Sequence, residues 1–321
     1  MPAPVSPATS RISNALTDFA SSYSNSQFIA DLVSPILLTD KESGSFHKRT
    51  RKDQATALDN RVGARGKMHE ITYDLDSGTY LVEGRGLVEG ITEGVILNAD
   101  AALSPHETAA ANVMQRNMLS REIRVADQIM TSGNWAVGNT GAISPNWDDE
   151  VDGVPLTNMQ TALQAIPFNG DDVQVFGVCS DVVFDVVSRH PQIMGLRAGG
   201  GNTGGPVSPQ ELANFLRISG IHVSKIHKNT ANTGQTASYS RVWTSTAFAF
   251  VVVPKVLQST KQSVFSVTMR QNLPGSKNGI RAREWHVEEE GIGGTDMVAV
   301  EHKDDEVIVQ NDAGYLMTSV L

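Results

Sequence analysis

SPHETAAANVMQRNMLSREIRVADQIMTSG, residues 104–133, carries the signals of one long helix from end to end. Ser104 is a good N-cap, and Glu107 follows three residues later, which together make a capping box. Pro105 stands at the first helical position, where a missing N–H costs nothing. Gly133 is placed to close the helix in a left-handed conformation. The span of about 28 residues predicts a rod about 42 Å long at ~1.5 Å per residue. Leu119, Ile123, Ala126 and Met130 recur at spacings of four, three and four, and Met114, Met118, Val125 and Ile129 form an adjoining stripe. The apolar face is therefore broad. The opposite face is read as Arg116, Arg121, Arg124 and Asp127. No other long helix is apparent, so this one acts as a spine.

The chain on either side differs in kind. Residues 1–40 are rich in small polar residues, with a short amphipathic helix expected over Ile12–Tyr23 and with Leu16 and Phe19 on one side. A helix that short is marginal alone, so the arm needs a surface to lie on, and a neighbouring subunit is the expected one. Residues 41–70 hold eight Lys/Arg against four Asp/Glu, whereas the other residues hold 18 and 31. His47, Lys48, Arg49, Arg51 and Lys52 crowd into six positions with few apolar neighbours. Such a segment cannot bury a core of its own. With the strand-like EITYDLDSGTYLVEGRGLVEGI after it, it reads as a protruding hairpin that lies on another subunit.

After the spine, short helices and strands alternate over residues 151–262. Thr157 is read as the cap of LTNMQTALQAI, stopped by Pro167. Ser180 caps DVVFDVVSRH, stopped by Pro191. Ser208 and Glu211 form a second capping box, with Gly220 as the stop. AGGGNTGG, from Ala198 to Gly205, reads as a flexible loop. VQVFGVC and AFAFVVV are buried-strand candidates, and strands dominate again from Val264 onward. Glu288, Glu289 and Glu290 read as a solvated strand edge.

Composition excludes several classes. A net charge of −9 over 321 residues argues against binding nucleic acid by bulk electrostatics. There is no 18-residue apolar run and no secretory signal. The lone Cys179 cannot form an internal disulfide and sits in an apolar run, where a buried inert thiol is expected. No zinc spacing, phosphate loop or nucleophile elbow is present, and DDEVD at 148–152 does not match a calcium loop. No catalytic residues, metal or cofactor are assigned. The parts describe a subunit completed by its neighbours.

Their order resembles that of the major capsid proteins of tailed bacteriophages, with the HK97-like fold. The matching segments are FIADLVSPILLTDKESGSFHK (28–48), SGTYLVEGRGLVEGI (77–91), LSREIRVADQIM (119–130), SRHPQIMGLRAGG (188–200), VSPQELANFLRISGIHV (207–223), VWTSTAFAFVV (242–252) and VIVQNDAGYLMTSVL (307–321). The resemblance implies an α+β fold with an N-terminal arm (1–40), an extended β-hairpin loop with flanking strands (41–103), a peripheral domain with the spine helix (104–150) and a mixed α/β axial domain (151–262). Return strands of the peripheral domain and a C-terminal strand follow (263–321).

It further implies hexamers and pentamers closing an icosahedral shell around phage double-stranded DNA, held without sequence-specific binding. The expected location is the virion, assembled in the host bacterial cytoplasm. The arm starts almost at residue 1, so a separate scaffolding protein is expected, along with a portal and a decoration protein as partners. Expected subunit contacts are Leu16, Phe19, Lys48, Arg49, Arg51 and Lys52, with Glu288, Glu289 and Glu290 as the acidic counterpart. An encapsulin-like nanocompartment shell is the alternative within structural proteins. An oligomeric enzyme with an intersubunit site is the alternative from another class.

Overall fold

A computed structural model describes residues 10–49, 60–62, 66–68, 70, 75–99, 104–166, 173–197 and 205–321. The spine helix runs Pro105–Met130, about 39 Å at ~1.5 Å per residue. Ser104 Oγ accepts from the Glu107 N–H at 3.4 Å, as the cap signal requires. The other end departs from expectation. Gly133 does not close the helix in a left-handed conformation; the chain leaves at Thr131 in an extended conformation and makes one 3₁₀ turn, Ser132–Asn134. Side chains satisfy the last carbonyls instead. Thr131 Oγ1 donates to Asp127 O, Asn134 Nδ2 to Gln128 O and Trp135 Nε1 to Ile129 O.

The strands in chain order are β1 (Arg11–Ile12), β2 (Ile36–Thr39), β3 (Ser43–Arg49), β4 (Leu75–Leu81), β5 (Glu83–Thr92) and β6 (Thr140–Ala142). Beyond the spine come β7 (Val173–Ser180), β8 (Gly220–Ser224), β9 (His227–Asn229), β10 (Tyr239–Arg241) and β11 (Ala247–Pro254). The last four are β12 (Ser266–Gln271), β13 (Arg281–Val287), β14 (Thr295–Ile308) and β15 (Gly314–Thr318).

Two sheets organise the molecule. One has the order β1-β13-β14-β12-β2, with β5 on the other side of β14. Its centre is the 14-residue β14, which pairs antiparallel with β13, β12 and β5. The other has the order β6-β15-β11-β7-β8. Its central strand, AFAFVVVP, is buried at every position, as a strand covered on both faces must be. The C-terminal β15 pairs with β11 and with β6, so the chain end lies inside this second sheet.

The spine helix joins the two sheets. Val125, Ala126 and Ile129 pack into the large core around Trp147, Trp243, Phe248 and Phe250. Ala109, Ala110, Val113 and Met114 pack with Ala282, Val298 and Val300 of the first sheet. Leu16 and Ala20 of the arm helix, Asn14–Ser22, belong to this same cluster, and Leu16 is only 6% exposed. The expectation that Leu16 needs a neighbouring subunit to bury it is thus corrected: its own spine helix supplies the surface. Phe19 packs against the same cluster while remaining partly exposed.

Local stops differ where tertiary structure takes over. The helix read from Thr157 starts at Pro155, with Val154 as the preceding residue and no side-chain cap. Pro191 ends Asp181–Arg189 but also opens Pro191–Arg197. Pro209–Leu216 carries the full Ser208/Glu211 capping box, yet it closes on Arg217 at φ 57°, not on Gly220, which begins β8. The AGGGNTGG loop falls almost wholly outside the described residues, as does Pro167.

Candidate functional site

The hairpin expected from the sequence has as its described strands β3 and β4, paired antiparallel in register from Ser43↔Leu81 to Arg49↔Leu75. Its base is fixed to the body. Phe46 is buried against Val264, Val267, Met269 and Val307. The two hydroxyls of Thr39 and Tyr80 lie 2.9 Å apart, Leu81 N donates to Asp305 Oδ2 at 3.0 Å, and Thr260 Oγ1 donates to the His47 carbonyl at 2.9 Å. Gly78 is required opposite Phe46, because a Cβ there would come within 2.4 Å of the ring. The described part of the hairpin is thus anchored along β3 and β4 to its own subunit.

The charges on this hairpin are only partly in view. Lys48 Nζ lies 3.3 Å from Asp76 Oδ2 across the two strands, so its first partner is within its own hairpin. A backbone N–H from Ser77 and then Lys48 hold Asp76 below its ordinary carboxylate range. Arg49 ends β3, while Arg51 and Lys52 lie outside the described residues. Glu288, Glu289 and Glu290 are not on a strand edge. They begin the turn between β13 and β14, where Gly291, Gly293 and Gly294 all take positive φ and let the chain reverse. Glu288 and Glu289 are exposed, and the Glu290 carbonyl accepts from Thr295 Oγ1. Among the described residues, none of the three glutamates forms an ion pair. Ile292 at the same turn is 98% exposed.

The polar face assigned to the spine is borne out at Arg116 and Asp127, which are exposed, and corrected at Arg121 and Arg124. Arg121 is 7% exposed, and Arg124 is largely covered. Arg121 Nη1 pairs with Asp31, while Nη2 donates to Ser34 O at 2.8 Å and Thr268 Oγ1 at 3.1 Å. Arg124 holds Glu306 with two bonds of 2.8 Å and also reaches Asp304 at 3.3 Å. Arg270 Nη2 adds a bond of 3.1 Å to Asp304, which is fully buried. Glu122, also fully buried, accepts from the N–H groups of Ile29 and Ala30 and from Trp243 Nε1. Residues from the arm, the spine, the first sheet and the segment leading into β11 are thereby bound into one body. No helix pattern could reveal this, because the partners lie 87–182 residues away.

Among the described residues there is no His/Cys/Asp/Glu group able to hold a metal ion, and no helix is long and apolar enough to cross a membrane. Cys179 is fully buried in β7, and burial pushes its thiol well above the ordinary range. His222 and His227 stand on separate strands, β8 and β9.

No family model matches the chain. A curated relative does. The major capsid protein of Pseudomonas phage JBD67 is 25% identical over 255 residues, which cover 79% of this chain and 81% of that protein. Solved structures share the architecture at lower identity. A phage-related protein from Bordetella bronchiseptica RB50 superposes with a TM-score of 0.72 at 15% identity, over 96% of this chain and 97% of that one. The capsid of cyanophage P-SCSP1u gives 0.53 at 10% identity, over 92% and 89%. This chain has the HK97-like fold, and its sequence is similar to that of a phage major capsid protein. A putative capsid protein of an Escherichia coli CFT073 prophage also shares the fold, with a TM-score of 0.53 at 7% identity over 96% and 99% of the two chains. The relatives are structural proteins, which points away from an enzyme.

Proposed function

We propose that this capsid protein assembles as hexamers and pentamers into an icosahedral shell enclosing phage double-stranded DNA. The observation that carries the reading is the similarity of the sequence to a phage major capsid protein over 79% of the chain, together with a fold in which the hairpin β3–β4 is anchored at its base by Phe46 and Tyr80. A net charge of −9 suits a container, because a strongly basic lining would bind the packed genome tightly. The shell belongs to the virion and is built in the host bacterial cytoplasm. Scaffolding protein, portal and a decoration protein are its proposed partners. The division into arm, extended loop, peripheral domain and axial domain, with the boundaries given by sequence, is proposed on the same basis.

Within the shell, the basic hairpin residues Lys48, Arg49, Arg51 and Lys52 are proposed to face the Glu288–Glu290 turn of an adjacent subunit. The exposure of Glu288 and Glu289, with no ion-pair partner among the described residues, supports this. Phe19 is a second candidate contact, being partly uncovered on the arm helix. An encapsulin-like shell is the less supported reading, because the relative matched by sequence is a phage capsid protein. Expression with the neighbouring genes, followed by electron microscopy and analysis of the particle contents, tests the proposal. DNA-filled or scaffold-dependent heads support it, and shells that hold only a protein cargo would displace it.

A further inference from the structure

An open groove of about 560 Å³ lies where the arm beyond its helix, the spine and the segment after β8 meet. Phe28, Leu119 and Ile226 give it an apolar floor continuous with the large core. Gln27 and Gln115 add exposed carboxamides, and the fixed charges in the lining are Arg116 and Lys225. No Asp or Glu lines it. Both cations are exposed, and among the described residues neither has an ion-pair partner. Such a surface fits an acidic peptide segment that carries an apolar residue among its acids.

The chain itself holds a segment of that kind in DDEVD, residues 148–152. Asp148, Glu150, Val151 and Asp152 are exposed, Val151 at 88%. Among the described residues the carboxylates of Asp148, Glu150 and Asp152 form no ion pair. Asp149 instead shapes the loop. Its carboxylate accepts from the N–H groups of Val151 at 2.9 Å and Asp152 at 3.1 Å, and its carbonyl accepts from Gly153 N at 3.0 Å. The loop is preorganised with Val151 outward, so little ordering is left to oppose docking.

The chain enters the loop from β6 and the groove from β8, the two edge strands of the second sheet. Loop and groove are thus distinct patches. One copy's loop on another's groove is a head-to-tail contact, which closes into a ring when the rotation allows. We propose that the 148–152 loop of one subunit docks in the Arg116/Lys225 groove of a second copy, with its acids against the two cations and Val151 over the apolar floor. The contact presupposes the shell reading above and joins neighbours within one ring.

Shell yield of the full-length chain, expressed with its neighbouring genes and measured by sedimentation and electron microscopy, tests the contact. Arg116→Glu with Lys225→Glu lowers the yield at least about tenfold, because like charges then face each other in every repeat. Asp148→Lys with Glu150→Lys does the same. All four changes in one chain restore the pairing with its signs exchanged and return the yield to within about threefold of wild type. Thermal unfolding of the unassembled subunit stays unchanged throughout, since all four side chains are exposed. Normal yield from either two-site variant, or no rescue in the four-site variant, overturns the contact and leaves the shell reading standing. A groove variant that forms normal shells but packages less DNA also overturns it, and assigns the groove to phosphates. A wild-type chain that forms no shells overturns the shell reading and the contact with it.

Discussion

Glu122 of the spine helix accepts a 2.7 Å hydrogen bond from Trp243 Nε1, and both side chains are almost wholly buried. The same carboxylate accepts from the backbone of Ile29 and Ala30. Burial pushes Glu122 above the ordinary carboxylate range, although Trp243, Ala30 and Ile29 pull it back by donating to the charged form. One side chain thus joins the spine, the part of the arm after its helix and the polypeptide leading into β11. Glu122→Ala leaves three donors buried without an acceptor and is expected to destabilise the subunit by about 3 kcal/mol or more. Trp243→Phe removes one donor only and should cost less. Denaturant unfolding of the two variants checks the order; equal and small losses would show that the carboxylate is not a hub.

His302 makes subunit stability depend on pH. Burial, with Arg270, Arg124 and Arg121 nearby, lowers its pKa to about 4 against the attraction of Asp304. Between the unfolded value of ~6.5 and about 4, the unfolded chain binds a proton that the folded one does not, so stability rises with pH across that window. Acidification from neutrality to about pH 4 therefore removes roughly 3 kcal/mol from this site alone. His302→Gln should flatten that part of the profile. A wild-type unfolding midpoint that stays constant from pH 7 to 4.5 would speak against the buried neutral imidazole.

Leu16 tests whether the arm belongs to its own subunit. Truncation to Ala removes a buried side chain from the cluster with Ala109, Val113 and Val298. A loss of about 2–4 kcal/mol in unfolding free energy is expected in the unassembled subunit. If the isolated subunit melts unchanged and only the shell weakens, the arm packs on a neighbour after all.

Much of this arrangement was legible before the structure. Ser104 and Ser208 announced their helices because capping is local chemistry within four residues. The run AFAFVVV read as a buried-strand candidate, and β11 is buried at every position. Arg121 and Arg124 were misread because their helix positions fit a solvated face, whereas Asp31, Asp304 and Glu306 come from distant segments. Gly133 was misread because side chains of Thr131, Asn134 and Trp135 close the helix without it. Glu288–Glu290 were placed on a strand because the glycines that turn the chain follow the acids instead of preceding them.

The hairpin's charges are tested by reversal. Arg49→Glu with Arg51→Glu should leave subunit folding unchanged and impair assembly. Each exposed ion pair is worth only ~0–1 kcal/mol, but every subunit repeats it, so the effects accumulate through effective concentration. Glu288→Lys with Glu289→Lys, added to the same chain, should restore part of the shell yield in sedimentation. Normal assembly of the first variant removes the charged contact from the account, and poor assembly without rescue assigns the hairpin a different partner surface.

The central claim is that the subunit is complete as a folded body but not as a functional unit. Sedimentation velocity combined with electron microscopy, on the protein expressed with its neighbouring genes, tests it most directly. Closed hollow particles of uniform diameter are predicted. A compact monomer at every ionic strength, with scaffolding protein supplied, would contradict it.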